Sequence, residues 1–341
     1  MLDAERLRWG VLGVARIAAT KVIPAMKRSA RSVVAAIASR DMARARQAAT
    51  MLDIPRAYGS YEDLLADPEI DAIYNPLPNH LHVPWTIRAA EAGKHVLCEK
   101  PIALSAADAR RLIDVRDRTG MQIQEAFMVR AHPQWIEARN LVRDGRIGAL
   151  RSMLGHFSYF NDDPANIRNV REFGGGGLMD IGCYLINTSR FIFGQEPLRV
   201  SGLIDRDPVL EVDRMATLLL DFGTGHFAGT CSTQMVPYQR MQIFGTTGRI
   251  DIEIPFNAPP DRPCRIVVDT GADLFGSGAE TIEMPICDQF TIQADLFAAA
   301  VLDGRQVAAP LEDAVANMAC IEAVYRSAES GTWETPIATD R

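Results

Sequence analysis

The chain has 341 residues, of which 48% are hydrophobic and 23% charged, a composition typical of a globular protein with two domains. The net charge of −7 at pH 7 argues against a polyanionic partner, so nucleic-acid binding is not expected. No stretch approaches the roughly 18 apolar residues that span a bilayer. The N-terminal sequence also lacks the pattern of a signal peptide, so we predict a cytoplasmic protein without a membrane partner.

The six cysteines lie far apart, with no Cys-x-x-Cys pair. This spacing provides neither a zinc knuckle nor a disulfide framework, so reduced thiols are expected. The histidines form no cluster with ligand spacing, and we therefore predict no metal site.

The first third of the chain alternates short apolar runs with helical patterns. Strand-like runs lie at 9–14, 33–38, 72–74, 96–98 and 121–127, and charges recur at helical spacing at 16–28, 41–51, 80–93 and 105–119. This alternation is typical of a parallel sheet with helices on both faces. We predict a doubly wound Rossmann domain over residues 1–128, with Asp41 and Ser105 as helix N-caps.

After residue 128 the pattern changes, and we predict a second domain over residues 129–341. A linking helix at 132–144 and a strand at 150–160 precede a polar, Gly-rich stretch, 161–177, and a helix from Leu178 to Phe193. We expect Gly174–Gly177 to be a flexible entry to this helix. Strand-like runs follow without crossover helices between them, at 215–222, 226–235, 239–245, 248–254, 264–269 and 281–285. Such runs form a large, mostly antiparallel open sheet. Helices near 289–303 and 311–330 complete an α+β domain, and the chain as a whole is of the α/β class.

A weak dinucleotide fingerprint lies where the first strand turns into the first helix. Gly13, Ala15 and Ala18 occupy the positions of G-x-G-x-x-G/A, where backbone amides and the helix N-terminus face a pyrophosphate. The second strand ends in Ser39-Arg40, where an NAD site usually has an acidic residue. A hydroxyl and a guanidinium suit a ribose 2′-phosphate, so NADP is favoured over NAD.

Two further segments follow strands at the same edge of the predicted sheet. Residues 75–80 (Asn-Pro-Leu-Pro-Asn-His) follow the strand at 72–74, and Glu99-Lys100-Pro101 follows the next one. Ligands of open α/β sheets bind outside the carboxyl ends of the strands. We therefore expect Lys100 in the cofactor crevice, near the nicotinamide.

These segments, together with Asp180-x-Gly182-x-Tyr184 later in the chain, resemble the Gfo/Idh/MocA oxidoreductase family over essentially the whole length. Tyrosine at position 184, where many members have histidine, makes the chain more similar to the branch with glucose-fructose oxidoreductase, NADP-dependent D-xylose dehydrogenase and dimeric dihydrodiol dehydrogenase. The resemblance implies that Lys100 and Tyr184 are catalytic and that the Lys100–Pro101 bond is cis. It also implies a homodimer or homotetramer formed through the open face of the C-terminal sheet.

With the resemblance, the fingerprint and strand-end segments define the expected cofactor site. We expect NADP to contact Gly13, Val14, Ala15, Arg16, Ile17, Ser39, Arg40, Asn75, Pro76, Leu77, Asn79, His80, Glu99 and Lys100.

The chemistry of a sugar dehydrogenase explains the pairing of a lysine with a tyrosine. Asp180, Tyr184 and Asn187 are spaced i, i+4, i+7, on one face of the 178–193 helix. A base must take a proton from the substrate hydroxyl while hydride leaves the same carbon. A free phenol, with a pKa of about 10, is a poor base near neutral pH, and a nearby ammonium lowers the pKa of a phenol. Our hypothesis is that Tyr184 is the acid/base, Lys100 tunes it, and Asp180 holds Lys100 or a substrate hydroxyl.

The predicted function is NADP-linked transfer of hydride to or from a hydroxyl carbon of an aldose or related cyclic polyol. We expect the substrate to contact Lys100, Arg130, Phe160, Arg168, Asp180 and Tyr184. His132, Asn166 and Asn169 lie in segments that border the same region, and Phe157, Tyr159 and Phe160 would supply an apolar wall. Two alternatives stay open at this point: a dihydrodiol dehydrogenase or ketose/anhydrosugar reductase with the same residues, and a regulator that binds NAD(P) without turnover.

Overall fold

The structure, a computed structural model, describes residues 6–337 and divides into two compact units. The first unit contains the described residues up to Met128 together with Gln289–Val315. The second contains Val129–Asp288 and the described residues from Ala316 onward. The sequence pattern places 289–315 in the second domain, whereas in the structure this segment belongs to the first unit.

The first unit is built on a parallel sheet. Among the described residues it has six strands in the order β3-β2-β1-β4-β5-β6, which is the doubly wound order. These strands are β1 (Leu7–Leu12), β2 (Ser32–Ala38), β3 (Arg56–Tyr58), β4 (Ala72–Asn75), β5 (His95–Cys98) and β6 (Ile123–Glu125). The predicted Rossmann fold is confirmed. Strand β3 was not predicted, because its three half-buried residues form no apolar run.

Helices connect these strands. A π-helical turn at Ala18–Val22 continues into α1 (Ile23–Arg28), and α2 (Met42–Leu52), α3 (Tyr61–Leu65), α4 (His82–Glu91) and α5 (Ala106–Thr119) follow. Both predicted N-caps are confirmed. The Asp41 carboxylate accepts from the backbone amides of Ala43 and Arg44, and the Ser105 hydroxyl accepts from that of Asp108.

The second unit contains a mixed, mostly antiparallel sheet, as predicted. Within residues 129–337 it has eight strands in the order β14-β13-β12-β11-β7-β10-β9-β8, and only the β7–β10 pair is parallel. The strands are β7 (Leu150–Phe160), β8 (Arg199–Arg206), β9 (Asp213–Asp221), β10 (His226–Ser232), β11 (Gln234–Gly245), β12 (Arg249–Ile252), β13 (Arg265–Asp269) and β14 (Ala279–Glu283). The edge strand β8 was not predicted, because charged and polar residues interrupt its apolar ones.

The helices of the second unit cover one face of this sheet. They include α6 (Pro133–Arg143) and a π-helical turn, Leu178–Gly182, that continues into α7 (Cys183–Phe193). The turn and α7 together are called the Tyr184 helix below. It packs closely on β7, because a Cβ at Gly155 would lie 2.9 Å from Leu185 Cδ2. Two helices follow the sheet in the chain, α8 (Gln289–Leu302) and α9 (Leu311–Ser330).

Helix α8 belongs to the core of the first unit. The Phe297 ring lies 5.2 Å from the Trp9 ring of β1, and both side chains are fully buried. Within residues 6–337, no helix has the length and apolar character needed to cross a membrane.

Candidate active site

Four segments meet at the carboxyl edge of the six-stranded sheet. Gly13 follows β1, Ser39 follows β2, Asn75 ends β4 and Glu99 follows β5. The Gly13 amide donates to the Ala38 carbonyl at 2.8 Å, and the Glu99 amide donates to the Asn75 carbonyl at 3.0 Å. Backbone hydrogen bonds therefore hold neighbouring segments together in pairs.

The turn after β1 has the geometry of a phosphate-binding loop. Gly13 has a φ of +75°, and a Cβ there would lie 3.0 Å from Leu77 Cδ2. The chain passes through Val14-Ala15 and becomes helical at Arg16-Ile17, with no acidic residue in the first turns. The positive end of the helix is therefore uncompensated, and this turn fits the pyrophosphate of a dinucleotide.

The acidic residue near the end of β2, Asp41, already has a structural role. Ser39 is 7% exposed, and its Oγ accepts from the Asp41 amide at 3.3 Å. The Asp41 carboxylate in turn caps α2, with its Oδ1 2.8 Å from the Ala43 amide. The groups left at this corner are a hydroxyl and the exposed guanidinium of Arg40.

A second cation at this corner, Arg44, was not predicted. Its Nη2 donates to the Val14 carbonyl at 3.4 Å, across the loop after β1. Burial raises the pKa of the Tyr61 hydroxyl, and the charges of Arg40 and Arg44 oppose that rise, so both guanidinium groups lie near this hydroxyl. A cation in the first turn of a helix is electrostatically unfavourable. The position of Arg44 in the first turn of α2 is therefore a signal in the sequence from which another role could have been predicted.

The segment after β4 is shaped by Asn75. Its buried amide donates to the His82 carbonyl at 3.1 Å and to Thr86 Oγ1 at 3.2 Å, and its Oδ1 accepts from the Leu77 amide at 3.3 Å. The side chain thus fixes the loop from within. Pro76 and Leu77 are buried beside it, and the half-buried side chains of Asn79 and His80 begin the short helical turn Asn79–Leu81.

The Glu99 carboxylate fixes the Glu99-Lys100-Pro101 segment to the neighbouring strand β4. The hydroxyl of the fully buried Tyr74 donates to Glu99 Oε1 at 2.6 Å. Lys100 is half-buried, and the Lys100–Pro101 bond is cis, as the resemblance implied.

His82 connects the two strand-end segments, a role that was not predicted. Its ring is 1% exposed, with Nδ1 2.7 Å from the Pro101 carbonyl oxygen and Nε2 2.6 Å from the Leu77 carbonyl oxygen. The ring therefore sets the separation of the loop after β4 and the peptide next to Lys100. The partners of this histidine come from 5 and 19 residues away, so local sequence gave no signal of its role.

In the second unit, Asp180 is held by two side chains. Tyr159 Oη donates to its Oδ2 at 2.6 Å, and Arg168 Nε donates to its Oδ1 at 3.0 Å. The structure thus brings the predicted residues Asp180 and Arg168 together. Tyr159, which was expected to form part of an apolar wall, instead donates a hydrogen bond to the Asp180 carboxylate. Because Tyr159 lies two residues after Phe157 on β7, the two side chains are on the same face of the strand.

Tyr184 lies in an aromatic cluster. It is 5% exposed, and its ring lies 5.8 Å from the Phe157 ring and 5.5 Å from the Phe256 ring. Phe157 and Phe256 stack at 4.6 Å. These rings fix the plane of the phenol, and Phe256, from the segment after β12, was not predicted.

Other predicted substrate residues lie elsewhere in this unit. Phe160 follows Tyr159 on β7, so it points to the opposite face of the strand, where it is 61% exposed. Arg130 lies over the Phe191 ring, 4.6 Å from its centre and two turns of α7 beyond Tyr184. Phe160 therefore lies on the opposite face of β7 from Tyr159, the residue that binds Asp180.

The remaining polar residues of this region stabilise local turns. His132 caps α6 by accepting from the Gln134 amide, and Asn166 caps the turn Ile167–Asn169. Asn169 donates to the Asn161 and Asp163 carbonyls. Their side chains therefore have structural partners in the second unit.

The Gly-rich stretch before the Tyr184 helix differs from the expected flexible segment. The Gly175 amide donates to the Val170 carbonyl at 3.0 Å, and the Gly176 amide donates to the Arg168 carbonyl at 2.9 Å. These bonds make it a defined turn, because the glycines allow its backbone to approach that of residues 168–170 closely. In the part of the chain that the structure describes, no group of three or more His, Cys, Asp or Glu side chains is placed to hold a metal ion.

Comparison with known proteins gives the family of the chain. Residues 7–127 match the model of an oxidoreductase family with an NAD-binding Rossmann fold, and residues 135–251 match the GFO/IDH/MocA C-terminal domain. The chain belongs to the Gfo/Idh/MocA oxidoreductase family. The family predicted from the sequence motifs is confirmed.

Three relatives match this Gfo/Idh/MocA protein along nearly their whole lengths. An uncharacterized oxidoreductase of Rhizobium meliloti is 50% identical over 97% of this chain and 99% of its own. A D-xylose 1-dehydrogenase (NADP(+)) of Haloferax volcanii is 38% identical over 95% of this chain and 98% of its own. The crystal structure of a 3-ketoreductase from Actinomadura kijaniata, in complex with NADP and TDP-benzene, has a TM-score of 0.88 at 30% identity and covers 95% of this chain and 98% of that one.

The role of His82 can be tested by removing its ring. His82→Ala leaves two buried carbonyl groups without the imidazole, so the free energy of unfolding should fall by about 2–4 kcal/mol in urea denaturation. The dissociation constant for NAD(P) should also rise, because the loop after β4 loses its connection to Pro101. His226→Ala, which removes a histidine whose side chain is 73% exposed, is the matched control. Equal stability of the two variants would contradict the bridging role.

Proposed function

We propose that this oxidoreductase is an NADP-dependent dehydrogenase that acts on a hydroxyl carbon of an aldose or related cyclic polyol. The observation that carries the proposal is the Tyr184 helix. It presents a phenol enclosed by aromatic rings, and one turn earlier it presents a carboxylate bound by Tyr159 and Arg168. A positioned phenol and carboxylate supply the proton transfer and hydroxyl binding that alcohol oxidation requires.

We assign the proton transfer to Tyr184. In the oxidation direction its Oη takes the proton of the substrate hydroxyl, and in reduction it returns that proton to the carbonyl oxygen. When bound, the nicotinamide accepts or supplies the hydride. We assign to Lys100 the stabilisation of the phenolate, because a nearby ammonium favours the charged form of a phenol.

Asp180 has the role of holding a substrate hydroxyl or the Lys100 amine. Each carboxylate oxygen can accept a second hydrogen bond, so the bonds from Tyr159 and Arg168 are compatible with this role. They also fix the carboxylate in one orientation. Arg168 is thereby close to the substrate position assigned to it, whereas the Phe160 side chain lies on the opposite face of β7 from Tyr159.

The preference for NADP rests on the corner after β2. A ribose 2′-phosphate there would be bound by the Ser39 hydroxyl and by the guanidinium groups of Arg40 and Arg44. The acidic residue that would favour NAD is engaged as the cap of α2. The D-xylose dehydrogenase relative also carries NADP(+) in its name.

The substrate class is supported by the relatives. One is named for oxidation of D-xylose, which favours an aldose. The 3-ketoreductase structure favours a second candidate, reduction of a keto sugar by the same residues. Retention of Lys100, Asp180 and Tyr184 in one chain argues against a regulator, because a sensor needs only the nucleotide pocket.

We also propose that the protein self-associates through the outer face of its eight-stranded sheet. This face carries exposed apolar side chains, Leu154, Leu203, Leu219 and Tyr238, which are 43%, 76%, 42% and 53% exposed. Leu154 pairs with Ala228 of β10, and Ala228 pairs with Leu219 of β9, so an apolar row crosses three adjacent strands. An exposed apolar surface of this kind is typical of an interface.

The catalytic assignment predicts a selective loss in Tyr184→Phe. The variant should lose about 10²–10⁴-fold in kcat, because it keeps the ring but cannot transfer a proton. Its dissociation constant for NADP should stay within about twofold, since the phenol is not assigned to cofactor binding. Tyr238→Phe, on the exposed sheet face, is the control. The assay is a screen of aldoses, ketoses and diols with NADP and with NAD.

Near-normal turnover in Tyr184→Phe would refute the assignment. Blank rates for the wild-type protein on every compound would favour the regulator.

The cofactor assignment predicts that Arg44→Ala discriminates between the two dinucleotides. Loss of a charged hydrogen bond to phosphate should raise the dissociation constant for NADP about 10–100-fold, with little change for NAD. Arg46→Ala, on an exposed position of the same helix, should change neither value. An equal effect of Arg44→Ala on both dinucleotides would remove the support for a 2′-phosphate site.

The interface proposal predicts an oligomer that a charge disrupts. Light scattering should give a mass of two or four chains for the wild type. The double substitution Leu203→Glu and Leu219→Glu should lower it to one chain, because two carboxylates would be buried without partners. A monomeric wild-type protein would show that this face is not an interface.

A further inference from the structure

A buried carboxylate lies at the start of β9, outside the groups used in the proposed mechanism. Asp213 is 1% exposed. Its Oδ2 accepts from the Leu178 backbone amide at 2.6 Å, and its Oδ1 accepts from Tyr325 Oη of α9 at 2.8 Å. Leu178 is the first residue of the Tyr184 helix, so the carboxylate binds one of the amides that a helix start leaves without an intrahelical acceptor.

The Gly-rich turn is folded around this carboxylate. Gly176 has a φ of +118°, and a Cβ there would lie 2.0 Å from Asp213 Oδ1. At Gly177 a Cβ would lie 3.5 Å from Oδ2. The Gly176 carbonyl accepts from the Asp180 amide at 3.0 Å. The turn that encloses the carboxylate is therefore the turn that holds the backbone of Asp180.

We propose that Asp213 is a positioning residue, which fixes the first turn of the Tyr184 helix and thereby places Asp180 and Tyr184. The geometric part of this inference stands on the contacts above. Its consequence for turnover rests on the proposed function, because it requires that Asp180 and Tyr184 act on the substrate.

Burial and the groups around Asp213 set the pH at which its carboxylate ionises, and with it the strength of its bond to the Leu178 amide. Burial raises the pKa of Asp213 to about 6, and its bonds from the Leu178 amide and the Tyr325 hydroxyl and the charge of Arg206 on β8 oppose that rise. The Cys231 thiol on β10 also lies near it, and burial raises the pKa of that thiol well above its usual value. Above about pH 6 the carboxylate is ionised, and its bond to the helix amide is charge-assisted. Below that pH the bond becomes a weaker neutral one.

The protonation of Asp213 affects the free energy of unfolding in the opposite direction from its effect on the hydrogen bond to the Leu178 amide. Because the folded-state pKa of Asp213 is raised, its contribution to stability is greatest below the unfolded-state pKa and is lost as pH rises through about 6. Acidification therefore releases the helix start without this group destabilising the fold. A loss of local order at acid pH can thus be separated from acid unfolding.

Hydrogen exchange of the Leu178 amide, followed by mass spectrometry on the full chain without substrate, tests the geometric part. After correction for intrinsic exchange, protection in the wild type should fall with a midpoint near pH 6. Asp213→Asn has the shape of the protonated acid, so its exchange should be roughly 10-fold faster than that of the wild type at pH 7.5 and should show no midpoint. Peptides of β1 serve as the internal control.

Tyr325→Phe provides a second variant that keeps the carboxylate. Removing one donor that lowers the pKa of Asp213 should move the midpoint to higher pH, with protection at pH 8 unchanged. A residue with only a packing role would change overall stability and leave the midpoint in place. An unchanged midpoint in both variants, or in Tyr325→Phe if Asp213→Asn does not fold, would overturn the proposal.

Kinetics separate this inference from the proposed function. In the direction of carbonyl reduction, where Tyr184 acts as the protonated acid, the kcat of the wild type should fall with a midpoint near pH 6, whereas Asp213→Asn should have a lower kcat without that midpoint and an unchanged KM for the cofactor. Turnover with the same midpoint in Asp213→Asn would refute the positioning role alone. Exchange data as expected without turnover on any substrate would keep the role of Asp213 in placing the helix and refute the dehydrogenase.

Discussion

The candidate cofactor site depends on one constraint, that parallel strands all end at the same edge of a sheet. In this chain the carboxyl ends of β1, β2, β4 and β5 carry the segments expected to bind a dinucleotide. Segments that are tens of residues apart in sequence therefore become neighbours because of the sheet topology, and their own side chains need not bind one another. Local bonds then adjust the edge: the Asn75 amide shapes one loop, and the His82 ring spaces that loop from the peptide after Lys100.

In the second unit the corresponding constraint is the start of a helix. A helix begins with backbone amides that lack intrahelical acceptors, and such amides need another hydrogen-bond acceptor when they are buried. Asp213 supplies an acceptor from β9, and the glycines before Leu178 let the chain pass close to it. Aromatic rings from β7 and from the segment after β12 then fix the plane of the Tyr184 phenol. The groups assigned to chemistry are thus placed by residues that take no part in it.

The sequence predicted the features that depend on local pattern. Strand–helix alternation gave the Rossmann sheet, and Asp41 was recognised as a cap because it precedes a helical pattern. The roles of residues that act across long distances were not predicted, because the partners of His82, Tyr159 and Asp213 lie far from them in sequence. Tyr159 was expected only as part of an apolar wall. Phe160 was placed near the substrate on its residue type alone, and strand alternation puts it on the opposite face from Tyr159. The π-helical turn at Leu178–Gly182 was predicted as ordinary helix, because the spacing of apolar residues does not distinguish the two kinds of helical turn.

The central claim is that the protein moves hydride between a sugar hydroxyl carbon and a nicotinamide. The most direct measurement uses aldoses deuterated at the hydroxyl carbon that is oxidised, incubated with NADP and the wild-type protein. Mass spectrometry of the cofactor should then show one deuterium on the nicotinamide ring for each molecule of sugar oxidised. Cofactor reduction without the label, or no reduction with any aldose, polyol or diol tested, would contradict the account.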